Sequence, residues 1–122
     1  MKAIMSIKPQ YVKQIIEGNK KFEFRRTIFK QNIESIIVYS SSPVQMLVGE
    51  IIFDNVLHLN LEELWSQTKK DSGISESFFY DYFKGLKQGY AISIKDFIVY
   101  EKPLNILETY GKKPPQSFLY LN

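Results

Sequence analysis

The stretch Gly18-Asn19-Lys20-Lys21-Phe22-Glu23-Phe24-Arg25-Arg26 sets a glycine stop, five ionisable side chains and an alternating pattern within nine residues. It reads as a strand leaving a helix. Strand side chains alternate between faces, so the pattern places Lys20, Phe22 and Phe24 on one face and Lys21, Glu23 and Arg25 on the other. Glu23 and Arg25 are then neighbours, and a guanidinium beside a carboxylate holds it ionised and aims it. Bringing Lys20 to the same place requires a bulge or twist near Lys21.

Upstream of this stretch, Lys2 to Lys8 reads as a short central strand. Pro9 then suits the first turn of a helix, where its missing donor costs nothing. Tyr11, Val12, Ile15 and Ile16 recur at helical spacing and Gly18 supplies a left-handed stop. Lys8 therefore stands beside a helix N-terminus, which favours anions over cations, and a bound phosphate would reconcile the two.

Downstream, Thr27 to Glu34 reads as a polar connection and Ser35 to Ser40 as a β-branched strand broken by Ser41, Ser42 and Pro43. Gln45 to Leu59 reads as a long or bent strand, with irregularities expected at Gly49 and at Asp54-Asn55. Asn60 with Glu63 three residues on predicts a helix capped at its start, and Ser75 predicts another through Phe78, Phe79, Tyr82 and Phe83, ending near Gly85. Those four aromatics are expected to be mostly buried. Gly89 to Ile94 is a further strand, Asp96 marks a turn or bulge, and Pro103 limits further pairing. Residues 104 to 110 read as a short helical or irregular piece, followed by a basic turn at 111 to 115 and a last strand from Gln116 to Leu121.

A chain of 122 residues is the size of one ordinary domain, and residues 1–122 are read as one. With 44% hydrophobic and 15% aromatic residues it is a folding chain with a β-rich core, not a disordered one. It has no cysteine, which excludes disulfides and thiolate metal sites, and its one histidine, His58, reads as an ordinary strand residue. The pattern implies no metal and no cofactor. No apolar run approaches the ~20 residues that cross a bilayer, so a cytoplasmic location without membrane contact is expected. Net charge is only +3, but residues 1 to 30 carry eight Lys or Arg against Glu17 and Glu23. That imbalance favours an anionic partner at the surface built by the N-terminal third.

The spelling G-x-K-x-x-E-x-R over residues 18 to 25 resembles the signature of the ASCH domain family, a relative of the PUA RNA-binding fold. Ser6-Ile7-Lys8-Pro9, Tyr39-Ser40-Ser41-Ser42-Pro43, Val48-Gly49-Glu50, Gly89-Tyr90-Ala91-Ile92 and Pro114-Pro115-Gln116-Ser117-Phe118 resemble further elements of that family in the same order. Mixed helices and strands argue an α+β class. The resemblance sharpens this to a PUA-like β-barrel of about six strands with helices covering its ends and a cleft between barrel and first helix.

Two functions follow from the resemblance. The first is an RNA- or nucleotide-binding module, with Lys8, Lys20, Arg25 and Arg26 on phosphate, Glu23 on a base edge, Tyr39 or Tyr90 stacking, and Ser40, Ser41, Gln116 and Ser117 as further ligands. The alternative is a small hydrolase, either a ribonuclease or an amidohydrolase acting on acylated cytidine. Some ASCH proteins do the latter with a lysine, a threonine and an acid. Here the lysine falls on Lys20 and the acid on Asp71, but Glu23 occupies the threonine position and would have to serve as general base or nucleophile. A plain surface row of ion pairs at Lys20, Glu23 and Arg25 is the remaining reading. A protein partner and the oligomeric state stay open.

Overall fold

A computed structural model describes residues 1–122. Six strands form one mixed sheet in the order β2-β5-β4-β3-β1-β6, built from β1 (Lys2–Ile7), β2 (Phe22–Arg25), β3 (Ser35–Ser40), β4 (Met46–Asn60), β5 (Gln88–Leu104) and β6 (Phe118–Leu121). β1 and β3 are parallel and every other pair is antiparallel. The α+β class is as expected. The sheet is strongly curled, but β2 and β6 share no ladder, so the barrel stays open along one seam.

The long antiparallel pair β4 and β5 supplies the curl. Its register shifts between Leu47 and Gly49, between Ile52 and Phe53, and between Phe53 and Asn55, close to the positions where the sequence shows Gly49, Asp54-Asn55 and Asp96. Extra residues at bulges increase strand twist, which turns a flat ladder into a wrapped one. Pro103 does not end β5, which runs on to pair Leu104 with Leu47.

Helix α1 (Pro9–Glu17) follows β1 and ends at Gly18 with φ 84°, its N–H meeting the carbonyls of Gln14 and Ile15. Val12 and Ile15 face the core, and Ile16 lies outside it. Helix α2 (Leu61–Thr68) starts at Asn60, whose side chain accepts from the Glu63 N–H at 2.9 Å. Helix α3 (Glu76–Tyr82) starts at Ser75, which accepts from the Phe78 N–H at 3.1 Å. Helix α4 (Ile106–Tyr110) replaces the undecided stretch after β5. No helix is long and apolar enough to cross a membrane.

Apolar side chains fill both sides of the sheet. The interior holds Ala3, Met5, Ile36, Val38, Ile51 and Ile92, closed by Val12 and Ile15 of α1. On the far side of β2 and β5, Phe24 and Ala91 pack against Leu64, Phe79 and Phe83, so α2 and α3 cover that end. Phe79 and Phe83 are fully buried as expected, and Tyr82 is half-buried, but Phe78 is 42% exposed. It precedes Phe79 by one residue in α3, and a step of about 100° round the helix turns it off the buried face and onto Tyr11 of α1.

Candidate functional site

The cavity opens where the sheet fails to close. It holds about 550 Å³ and is walled by the end of β1, the start of α1, strand β2, helix α3, the loop after β3 and the segment before β6. That size lies in the usual range of ~300–1,000 Å³ for small-ligand sites. Lys8, Lys20, Glu23, Arg25, Ser41 and Gln116 line it, all named from sequence.

Lys20 reaches this space without a bulge. It precedes β2, in a turn where the N–H groups of Asn19 and Lys20 both donate to the Gln14 carbonyl (3.0 and 3.2 Å) and the Lys21 N–H donates to Asp71 O at 2.8 Å. Its ammonium stands 5.0 Å from the Phe24 ring centroid and 5.2 Å from that of Tyr11, on the Phe24 side as alternation predicts. β2 is an edge strand, so side chains from both of its faces border the same opening. Phe24 and Lys20 come round one side of the edge, Glu23 and Arg25 round the other.

Each polar group is held. Lys20 Nζ donates to Ser72 O at 2.8 Å, and the residue is only 3% exposed. Arg25 Nη1 meets Glu23 Oε2 at 3.3 Å and Ser6 O at 3.4 Å, while Nη2 donates to Ser117 Oγ. One guanidinium thus joins β2 to β1 and to the approach to β6 across the open seam. The bond from Arg25 uses Glu23 Oε2 and leaves Oε1 free of side-chain hydrogen bonds, whereas the one buried side-chain atom without a partner is Gln14 Oε1.

Burial shapes the protonation of this set. It raises Glu23 above the ordinary carboxylate value of 4.5, with Lys20 and then Arg25 pulling it back. It lowers Lys20 below 10.5, with Glu23 opposing. Desolvation disfavours the charged form of both groups. The Tyr82 hydroxyl, which donates to Phe24 O at 3.1 Å, is pushed up by burial as well, and so is Tyr11.

Gly73 makes room for Lys20. It sits at φ 71°, and a Cβ there would lie 2.9 Å from Lys20 Cβ and 3.0 Å from Gln14 Oε1. Gly73→Ala is expected to cost about 1 to 3 kcal/mol through the left-handed backbone alone. It should also shift the amine. Thermal unfolding, compared with Gly85→Ala at a left-handed glycine with open space around it, checks the added contact penalty.

Several residues named from sequence lie elsewhere. Arg26 Nη1 is tied to the carbonyls of Tyr82 and Lys84 at 2.8 and 3.0 Å. Tyr90 stacks on His58 at 4.1 Å, its cross-strand neighbour, and does not line the cavity. Ser40 is buried in the β3 ladder, and Ser117 serves as the acceptor for Arg25. Asp71 contributes its backbone carbonyl to Lys21, in a 3₁₀ turn at Lys69–Asp71, and its side chain is not part of the cavity wall. Lys20 meets the carbonyl of Ser72, next to Asp71, and the lysine and acid of the amidohydrolase pattern form no ion pair. Conversely, Tyr11, Tyr82 and Gln45 line the cavity and were not singled out as ligands. No group of three or more His, Cys, Asp or Glu side chains is placed to hold a metal ion.

Comparison with known proteins agrees with this architecture. Residues 5–110 match the model of the ASCH domain. An ASCH domain-containing ribonuclease from Zymomonas mobilis is 28% identical over 124 residues, covering 98% of this chain and 83% of that protein. A crystal structure of ASCH from the same organism superposes with a TM-score of 0.90 at 28% identity, covering 99% of this chain and 87% of that one. A segment of the ATP synthase subunit alpha of Ureaplasma parvum is 28% identical over 119 residues, which is 97% of this chain but 15% of that protein.

Proposed function

The chain belongs to the ASCH domain family, and from that premise we propose that its cavity binds single-stranded RNA one nucleotide deep. The observation that carries this reading is the convergence of Lys8, Lys20 and Arg25 with one buried carboxylate in a cavity also lined by aromatic rings. Cations meet a phosphate, the rings of Tyr11 and Tyr39 meet a base, and Glu23 accepts from its edge. The modest net charge of +3 suits a short ligand better than a long duplex.

Titration of wild type with mixed-sequence single-stranded RNA and with mononucleotides tests it. Affinity should fall with salt at a log-log slope of about −0.7 for each phosphate neutralised. Absence of binding to either at low salt removes the reading.

A second reading, cleavage of the bound strand, is favoured by the relative described as a ribonuclease and by the buried Glu23 and Lys20. In it, the free Glu23 oxygen takes the proton of a ribose 2′-hydroxyl, and the 2′-oxygen bonds to the adjacent phosphorus. The bond from phosphorus to the 5′-oxygen breaks, and the Lys20 ammonium protonates that oxygen. The products are a 2′,3′-cyclic phosphate and a 5′-hydroxyl end. A raised carboxyl is the better base near neutrality and a lowered ammonium the better acid. Acylated cytidine, which needs a nucleophile that this chain replaces with Glu23, is expected to remain intact.

A further inference from the structure

Helix α3 buries Phe79 completely and leaves Phe78 at 42% exposure on the lip of the cavity. Five aromatic residues line that cavity, Tyr11, Phe24, Tyr39, Phe78 and Tyr82, and only Phe78 belongs to the exposed class. A phenyl ring has no polar atom to place in water, so its exposure leaves apolar area unburied. Its contact with Tyr11 is edge-to-face, with centroids 6.2 Å apart and planes at 67°. Such a contact is not a stacked one, and Phe78 keeps 42% of its surface exposed.

Helix α3 itself carries the exposed acids Glu76 and Asp81, and the cations come from the other walls of the cavity. Lys8 lines the same mouth, and Lys112 and Lys113 immediately precede Pro114 and Pro115 of its wall. None of the three pairs with a carboxylate, since the ion pairs of the chain are Lys2 with Glu50 and Arg25 with Glu23. An aromatic ring at the rim of a cavity of about 550 Å³ that Lys8, Lys20 and Arg25 also line fits a base followed by its phosphate. A neutral apolar peptide would use the ring and leave the lysines idle.

We infer that Phe78 is a second nucleotide subsite, on which the base next to the cavity-bound nucleotide of a single-stranded RNA stacks. This rests on the RNA-binding reading above. A base already stacked within a duplex has no free face to offer, so the subsite also selects single strands. Sequence preference at this position should be weak, because every base presents a π-face.

The test uses the full chain with 2′-O-methyl oligonucleotides, which cannot cyclise, and a 5′-mononucleotide as the short probe. Phe78→Ala should weaken tetranucleotide binding by about 5- to 100-fold and leave mononucleotide binding within about twofold. Phe78→Trp should restore it. Phe78 is partly exposed, so Phe78→Ala should stay folded, its thermal midpoint lowered by a few degrees for the lost Tyr11 contact. Equal weakening of both probes, or of neither, overturns the subsite while the binding reading stands. If wild type binds neither probe, both proposals fall.

Discussion

On the cleavage reading, Glu23→Gln is expected to cut RNA cleavage by about two to four orders of magnitude while leaving the affinity for uncleavable RNA nearly unchanged. The amide is the same size and still accepts a hydrogen bond from Arg25, but it has no basic oxygen to take the 2′-hydroxyl proton. Rate against pH supplies a second signature. The base works deprotonated, so rate rises with pH through the Glu23 ionisation. The acid works protonated, so rate falls as pH passes through that of Lys20. Burial raises the first above 4.5 and lowers the second below 10.5, which moves both limbs inward. The rising limb should vanish in the variant. Product formation from single-stranded RNA across pH, for both proteins, measures it. A variant that cleaves as fast as wild type would remove Glu23 from the chemistry, and a wild type without turnover would leave a binding module.

Arg25→Ala should be the most destabilising single change at the site, by about 3 to 5 kcal/mol, the range for a buried pair that loses one partner. The side chains of Arg25 and Glu23 are 11% and 8% exposed, so the Glu23 carboxylate, left with Lys20 as its one cation, gains little from water. The same change removes the donors to Ser6 O and Ser117 Oγ that cross the seam. Arg25→Lys should recover only part, because an ammonium cannot span three acceptors with planar geometry. Denaturant unfolding checks both variants. The double variant Arg25→Ala, Glu23→Gln should be more stable than Arg25→Ala alone, since the stranded charge is gone. Lack of such a rescue would show that the seam contacts, not the charge, carry the cost.

Local signals in the chain translated directly into structure. Gly18, Asn60 and Ser75 act within a few residues of themselves, and each ends or starts a helix where its chemistry demands. Strand order did not follow from local pattern, because β2 pairing with β5 joins residues about 70 apart and depends on the whole curl. The cavity was partly legible for the same reason. Lys20, Glu23 and Arg25 lie close in sequence, and an edge strand lets both of its faces serve one opening. Tyr90 sits opposite Arg25 in the ladder, yet its ring is taken by His58. Tyr11 and Tyr82 escaped notice because helical spacing marks them as apolar and cannot show that a hydroxyl ends at a cavity wall. Phe78 misled in the opposite sense, since an aromatic run reads as core and only the roll of α3 decides which ring is left out.

The first and last strands lie side by side and antiparallel, with Lys2 opposite Leu121. The chain therefore enters and leaves the fold at one point. A module with such an entrance can be spliced into a loop of another protein without stretching its host, because the two junctions are no farther apart than neighbouring strands, about 5 Å. The cavity mouth, built from the opposite ends of β1 and β3, would stay clear of the host. Grafting the gene segment into an exposed loop of a carrier should transfer the whole site as a unit.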